Sequence, residues 1–181
     1  LCQYIDELAE NDNEEFIPRD FLGDDLFFQI HTLPESISKL KKIKRIELYG
    51  SAIKRLPPEI GKMESLEYLG VYTSYDLNWL PYELLKCERL NDSLISTRAL
   101  YGNYKNRMGF PDLNNNSVKY FGNTLKCSIC ETIMDYSETN QLWITLQVGT
   151  DIVPLLTNLC SKDCQSTLPS PPEFYIQHAH K

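Results

Sequence analysis

Residues 33–90 decide the fold, and they read LPESISKLKKIKRIELYGSAIKR (33–55), LPPEIGKMESLEYLGVYTSYDLNW (56–79) and LPYELLKCERL (80–90). A Leu-Pro pair opens each segment; the pairs are Leu33-Pro34, Leu56-Pro57 and Leu80-Pro81. Their spacings are 23 and 24 residues. A fixed period of about 20–50 residues is typical of proteins that stack copies of one short unit. The sequence therefore predicts a core built from such copies.

Apolar residues recur at matching offsets in the three segments. At offsets four, seven and ten from the Leu-Pro leucine stand Ile37, Leu40 and Ile43, then Ile60, Met63 and Leu66, then Leu84, Cys87 and Leu90. The three-residue spacing predicts a turn of α- or 3₁₀-helix after each Leu-Pro pair. Ile46-Glu47-Leu48 and Leu69-Gly70-Val71 alternate as strands with one buried face do. In the third segment the strand positions fall on Ser93 and Ile95, so either the register slips to Leu94 or the array of copies ends there.

The pattern resembles the leucine-rich repeat family in its LPxxIxxLxxLxxLxL form. The resemblance implies an α/β fold class, namely a short leucine-rich repeat solenoid with an N-terminal helical cap and a small C-terminal zinc-binding α+β module. The repeat type is similar to bacterial or intracellular plant-like examples. Because such proteins are generally protein-binding scaffolds, the resemblance also implies another protein as partner. Serine stands where the family places asparagine after the strand, at Ser51 and Ser74.

The resemblance also implies a binding surface on the concave side of the strands. Its candidate residues are Arg45, Glu47, Tyr49, Tyr68 and Tyr72. Tyrosine and arginine are enriched at binding hot spots. An alternative remains open, in which these rings pack on the chain's own terminal segments.

Four parts are expected along the chain: a cap over 1–32, repeats over 33–97, a linker over 98–117 and a zinc-binding part over 118–181. Leu1, Ile5 and Leu8 share one helical face, which predicts a short N-terminal helix. Strands are expected at 118–121, 141–148 and 152–156, and a strand or turn at 24–30.

Four of the six cysteines form two close pairs, in the order C-x2-C, 29 residues, C-x3-C. Zinc takes four such ligands in a tetrahedron, so Cys127, Cys130, Cys160 and Cys164 are candidate ligands of a structural zinc ion. Ser161 is placed to cap a helix over 162–167 that carries Cys164. The arrangement resembles treble-clef zinc fingers. Three alternatives stay open: a catalytic zinc that uses His178 or His180, redox chemistry at the C-x2-C pair, and two disulfides.

The 181-residue composition is that of a globular protein with a formal net charge of −7. Acidic balance argues against nucleic acid as the main partner, since phosphate binding needs a cationic face. No apolar run reaches the roughly 20 residues that span a membrane. We expect a cytoplasmic location, with a leader left open because the chain begins at Leu1.

No motif of a hydrolase, phosphate-binding loop or paired-carboxylate site stands out, so we expect a protein that is not an enzyme. The alternative is an effector or regulatory protein with enzymatic activity in its cysteine-rich part. Ubiquitin-ligase domains of bacterial leucine-rich effectors are much larger than the roughly 65 residues left after the repeats.

Overall fold

The computed structural model describes residues 1–103 and 108–181. It has a mixed α/β architecture with three small sheets. The strands are β1 (Glu15–Phe16), β2 (Arg45–Glu47), β3 (Tyr68–Val71), β4 (Leu80–Pro81), β5 (Asp92–Ile95), β6 (Thr124–Lys126), β7 (Ile133–Asp135), β8 (Asn140–Val148) and β9 (Asp151–Leu159). In this part of the chain the α-helices are α1 (Cys2–Glu10), α2 (Pro18–Leu22), α3 (Asp24–Phe27) and α4 (Lys162–Ser166).

The first sheet is parallel and has the order β1-β2-β3-β5. The repeat period sets its register, because Arg45 pairs with Tyr68 and Tyr68 pairs with Asp92. The register of strand β5 does not slip to Leu94: Ser93 and Ile95 are buried, and Leu94 is exposed.

A 3₁₀ turn follows each Leu-Pro pair, at Glu35–Lys39, Pro58–Lys62 and Tyr82–Lys86. We call these the first, second and third 3₁₀ turns. Ile37, Ile60 and Leu84 are buried in them, as their three-residue spacing predicts. Ser51 and Ser74 lie in the segments that follow β2 and β3. The hydroxyl of Ser74 donates to the carbonyl of Leu48, and Ser74 Oγ lies 2.8 Å from Ser51 Oγ.

The expectation of a leucine-rich repeat solenoid is wrong for this structure. A solenoid runs as one array of stacked units, whereas the described residues of this chain form three small sheets. The third Leu-Pro pair forms β4, which belongs to a different sheet and pairs in parallel with β9. Strand β9 also forms a long antiparallel hairpin with β8, so the second sheet has the order β4-β9-β8. Its residues come from both halves of the chain.

The chain outside the first sheet shows two further differences from expectation. Residues 24–30, expected as a strand or turn, begin with helix α3. Residues 118–121, expected as a strand, form none, and Val118 instead exchanges hydrogen bonds with the amide side chain of Gln141. Helix α1 and strands β8 and β9 confirm the other expectations, and β9 runs to Leu159. The four-part division of the chain stays a prediction, and residues 104–107 of the expected linker lie outside the described residues.

The main core is shared between the two halves. It includes Ile5 and Phe16 near the start, the apolar positions of the repeats, and Ile144 and Leu155 from the hairpin. A second cluster packs around Trp143, where Trp79, Leu113 and Leu156 are also buried. No helix among residues 1–103 and 108–181 is long and apolar enough to cross a membrane.

The tip of the β8–β9 hairpin covers the free edge of β5. The hydroxyl of Thr150 donates to the carbonyl of Ser93 (2.9 Å), and the hydroxyl of Ser93 lies 2.8 Å from a carboxylate oxygen of Asp151. Gly149 lies at the tip with φ +56°, and a Cβ there would be 2.8 Å from Ser93 Oγ. Only a residue without a side chain fits both constraints.

We predict that Gly149→Ala destabilises the protein by about 2–4 kcal/mol, because it adds a clash with β5 to the cost of a positive φ. Gly23→Ala is the matched control, since Gly23 has φ +72° and open space around its Cβ position. It should cost only about 1 kcal/mol. Urea unfolding of both variants measures the difference, and equal losses would contradict the proposed crowding at the hairpin tip.

Candidate metal centre

The first cysteine pair lies in a tight turn between β6 and β7. These strands pair antiparallel, and Cys127 and Cys130 stand between them. The backbone N–H of Cys127 donates to the carbonyl of Thr132 (2.9 Å), and the N–H of Glu131 donates to the carbonyl of Cys127 (3.0 Å). Glu131 has φ +61°, which closes the turn. We call residues 127–130 the cysteine turn.

The second pair lies where β9 ends and α4 begins. Cys160 follows the last strand residue, and Cys164 lies in the first turn of the helix. The side chain of Ser161 caps this helix by accepting the backbone N–H of Cys164 (3.2 Å). The expected cap is confirmed, and the helix ends at Ser166, one residue earlier than expected.

The four sulfur atoms of Cys127, Cys130, Cys160 and Cys164 all lie within 4.8 Å of one another. Cys130 Sγ lies 3.4 Å from Cys160 Sγ, and Cys160 Sγ lies 3.6 Å from Cys164 Sγ. A tetrahedral zinc ion with Zn–S bonds of about 2.3 Å separates its sulfurs by roughly 3.8 Å. The thiols are free rather than paired in disulfides. The four cysteines therefore form a potential metal-binding site whose dimensions are consistent with zinc.

The surroundings of the cysteines favour a thiolate at Cys130. Hydrogen bonding from the Thr132 side chain and backbone, then from neighbouring thiols, lowers the pKa of Cys130 to about 6. Hydrogen bonding with Cys130 raises the pKa of Cys160 to about 12. Because thiolates are the metal-binding form, the lowered pKa of Cys130 favours metal binding.

A small apolar cluster supports the metal centre. It consists of Leu125, Met134, Leu142, Leu159 and the buried Cys127. Leu125, Met134, Leu142 and Leu159 come from β6, β7, β8 and β9, the strands that carry or flank the cysteines. The cluster holds the two cysteine pairs against each other.

The C-terminal histidines lie elsewhere. Among the described residues, the group of close potential ligands contains only the four cysteines. The backbone of His180 pairs with Trp143 of β8, and its ring packs against Phe110 with centroids 4.7 Å apart. The structure therefore does not support a catalytic zinc bound by His178 or His180.

The five residues expected in a binding surface meet on one face of the first sheet. We call Arg45, Glu47, Tyr49, Tyr68 and Tyr72 the tyrosine face. The Arg45 guanidinium stacks 3.9 Å from the centroid of the Tyr68 ring and forms an ion pair with Glu47 (2.8 Å). The rings of Tyr49 and Tyr72 lie 6.0 Å apart, and both side chains are more than two-fifths exposed. Their role in binding stays a prediction.

Gly70 makes room for the carboxylate in this face. A Cβ at Gly70 would lie 2.5 Å from Glu47 Oε1. The Glu47 side chain therefore lies flat on the backbone of β3, where its other oxygen holds Arg45 in place over Tyr68. Arg45 is thus in contact with both Glu47 and the Tyr68 ring.

Three residues near the cysteines were not foreseen from the sequence: Glu83, Ser128 and Asn158. Glu83 is buried in the third 3₁₀ turn, and it accepts a hydrogen bond from Ser128 (2.6 Å). Burial raises the pKa of Glu83 to about 7, although the bond from Ser128 opposes the shift. No signal marks Glu83 in the sequence, because Glu59 stands at the same offset from the second Leu-Pro pair.

Comparison with known proteins does not assign the chain to a family. No protein-family model matches it, and no curated protein is significantly similar to it. The resemblances to the leucine-rich repeat family and to treble-clef fingers are therefore not upheld as family membership. The repeated Leu-Pro segments and the four-cysteine cluster remain as features of this chain.

We predict that Glu83 makes the protein less stable as pH rises. Its folded pKa of about 7 lies above the ordinary value of 4.5. The folded state therefore binds this proton more tightly than the unfolded state. The resulting stability is complete below pH 4.5 and is lost as pH rises through 7. Between pH 6 and 8 the wild type should lose about 1 kcal/mol relative to Glu83→Gln.

Urea unfolding at pH 6 and pH 8 measures this difference, with metal content checked to be equal in both proteins. A constant difference between wild type and Glu83→Gln across this range would show that Glu83 does not titrate there.

Proposed function

We propose that this chain is a non-enzymatic protein-binding protein whose C-terminal part is held in shape by a structural zinc ion. The observation that carries the zinc proposal is the convergence of four thiol sulfurs within 4.8 Å. Four sulfur ligands saturate a tetrahedral ion and leave no position for water or substrate. Such a site contributes folding free energy and performs no chemistry.

The ion would be bound by Cys127, Cys130, Cys160 and Cys164. It would join the cysteine turn to the start of α4, beside the apolar cluster of Leu125, Met134, Leu142 and Leu159. Reduced thiols that bind zinc are typical of a reducing compartment. We therefore also propose a cytoplasmic location.

The tyrosine face is the proposed contact surface. Tyr49 and Tyr72 offer exposed aromatic area, and Arg45 is already positioned by Tyr68 and Glu47. Rigid aromatic and guanidinium groups contribute most of the binding energy in many protein interfaces. The face carries both charges, and the whole chain is acidic, so another protein is the proposed partner rather than a nucleic acid.

We expect about one zinc ion per chain when the protein is purified without added metal, as measured by mass spectrometry. Cys127→Ser and Cys160→Ser should abolish stoichiometric binding and lower the melting temperature, because a ligand at 1,000 times its Kd stabilises the native state by about 4 kcal/mol. Cys2→Ser is the matched control, since Cys2 is exposed and lies outside the cluster. A chain without zinc and without free thiols at the four positions would indicate disulfides and contradict the proposal.

We expect that Tyr49→Ser/Tyr72→Ser abolishes partner binding without unfolding the protein, because both rings are largely exposed. Immobilised wild type and variant would be compared for the proteins they retain from a cell extract. Tyr175→Ser is the matched control, since Tyr175 is exposed and lies in the C-terminal tail, outside the tyrosine face. Retention of the same proteins by the double variant would exclude the tyrosine face as the contact surface.

A further inference from the structure

Glu83 connects the third 3₁₀ turn to the cysteine turn. Its side chain is buried, and its Oε1 accepts the hydroxyl of Ser128 at 2.6 Å. Ser128 directly follows Cys127 in the cysteine turn. The contact bridges 45 residues of sequence. The position of a metal-binding turn is thus fixed by a residue of the repeats.

Ser128 is also bonded to β9 on its other side. Its backbone N–H donates to the carbonyl of Asn158 (2.7 Å), and its hydroxyl oxygen accepts the N–H of Asn158 (2.9 Å). Asn158 lies two residues before the ligand Cys160. Ser128 therefore joins the first cysteine pair to the strand that carries the second, while Glu83 holds Ser128 from the side of the repeats.

A second contact joins the third 3₁₀ turn to the region of the cysteine turn. Lys86, at the end of the third 3₁₀ turn, forms an ion pair with Glu131 at 2.8 Å. Glu131 directly follows Cys130 and has the positive φ that closes the cysteine turn. The third 3₁₀ turn thus contacts the cysteine turn at Ser128 and contacts Glu131, the residue that follows this turn.

The burial of Glu83 is costly, and only one of its oxygens is used. Among residues 1–103 and 108–181, Glu83 Oε2 is buried without a hydrogen-bond partner. A buried carboxylate with an unpartnered oxygen lowers stability. The bonded oxygen, however, accepts from Ser128, one of the two residues between the proposed ligands Cys127 and Cys130. This placement serves the geometry of the turn rather than the packing of the repeats.

We propose that Glu83 is a positioning residue of the metal centre, and that it couples metal binding to the packing of the repeats. The inference rests on the proposed zinc site. By fixing Ser128, Glu83 orients the sulfurs of Cys127 and Cys130 toward those of Cys160 and Cys164. Residues that orient metal ligands through hydrogen bonds typically change metal affinity by 10–100-fold when they are removed.

The coupling works in both directions. If Glu83 favours the metal-bound geometry of the cysteine turn, the bound ion must favour the docked position of the third 3₁₀ turn to the same degree. Loss of zinc would then loosen the contact between the repeats and the cysteine turn. The stability of residues in the repeats becomes dependent on an ion that they do not bind.

The test compares zinc affinities, measured by competition with a chromophoric chelator at pH 7.5. Glu83→Leu and Ser128→Ala should each weaken zinc binding by about 10–100-fold. Glu83→Gln keeps an oxygen acceptor for Ser128 and should recover most of the affinity. Glu59→Leu is the matched control, because Glu59 occupies the same place in the second 3₁₀ turn and makes no bond to Ser128 in the described structure. It should change the affinity by no more than about twofold.

A second measurement separates positioning from packing. Unfolding of each protein is followed with and without zinc, with Ser128→Ala used in place of Glu83→Leu if the latter does not fold. Positioning predicts that zinc raises the stability of Glu83→Leu less than that of wild type. If Glu83→Leu destabilises both forms equally and binds zinc with unchanged affinity, Glu83 is a packing residue and the inference is overturned.

The outcome for wild type keeps the two proposals distinct. A wild type that binds no zinc overturns the zinc proposal itself, and the coupling inference falls with it. A wild type that binds zinc while Glu83→Leu and Ser128→Ala bind it equally well overturns the coupling inference alone.

Discussion

The parallel pairing of Leu80–Pro81 with Leu155–Leu156 is the contact on which the rest of the structure depends. Because the two strands run in the same direction, residues that follow them also come together. Glu83 lies two residues after Pro81, and Asn158 lies two residues after Leu156, so both reach Ser128. In the other direction, β9 leads back to the hairpin tip that covers β5. One short pairing thus places both the end of the parallel sheet and the metal centre.

The two parts of the structure obtain their stability in different ways. The parallel sheet and its 3₁₀ turns bury a continuous apolar core in which Leu33, Ile46, Leu56 and Leu69 are fully enclosed. The region around the cysteines buries few large side chains, and a cluster of that size rarely supports a fold alone. A metal ion bound by four thiolates would supply the folding free energy that so small a core does not provide. The hydrogen bond between Glu83 and Ser128 would then couple this metal-dependent stability to the third 3₁₀ turn.

The sequence predicts what is periodic or local and misses what depends on distant segments. The 23- and 24-residue spacings correctly place Ile46, Leu69 and Ser93 side by side in a parallel sheet. Cysteine spacing predicts the four-sulfur cluster, and Ser161 predicts the helix that carries Cys164. The solenoid expectation fails because Leu80–Pro81 pairs with a strand that periodicity cannot reveal. Glu83 escapes notice for the same reason: Glu59 follows the second Leu-Pro pair at the same offset, and only the contact with the cysteine turn distinguishes Glu83 from it.

The distance along the chain between β4 and β9 also has a consequence for biosynthesis. Leu80 leaves the ribosome roughly 75 residues before its partner Leu155, which amounts to several seconds at 5–20 residues per second. During that interval the β8–β9 hairpin has not yet covered the parallel sheet. The edge of β5 and the apolar side chains of the third 3₁₀ turn therefore remain accessible to other nascent chains. Closing so long a loop is entropically slow, and late closure favours association with chaperones. A truncation before β9 would therefore yield an aggregation-prone product rather than a smaller folded protein.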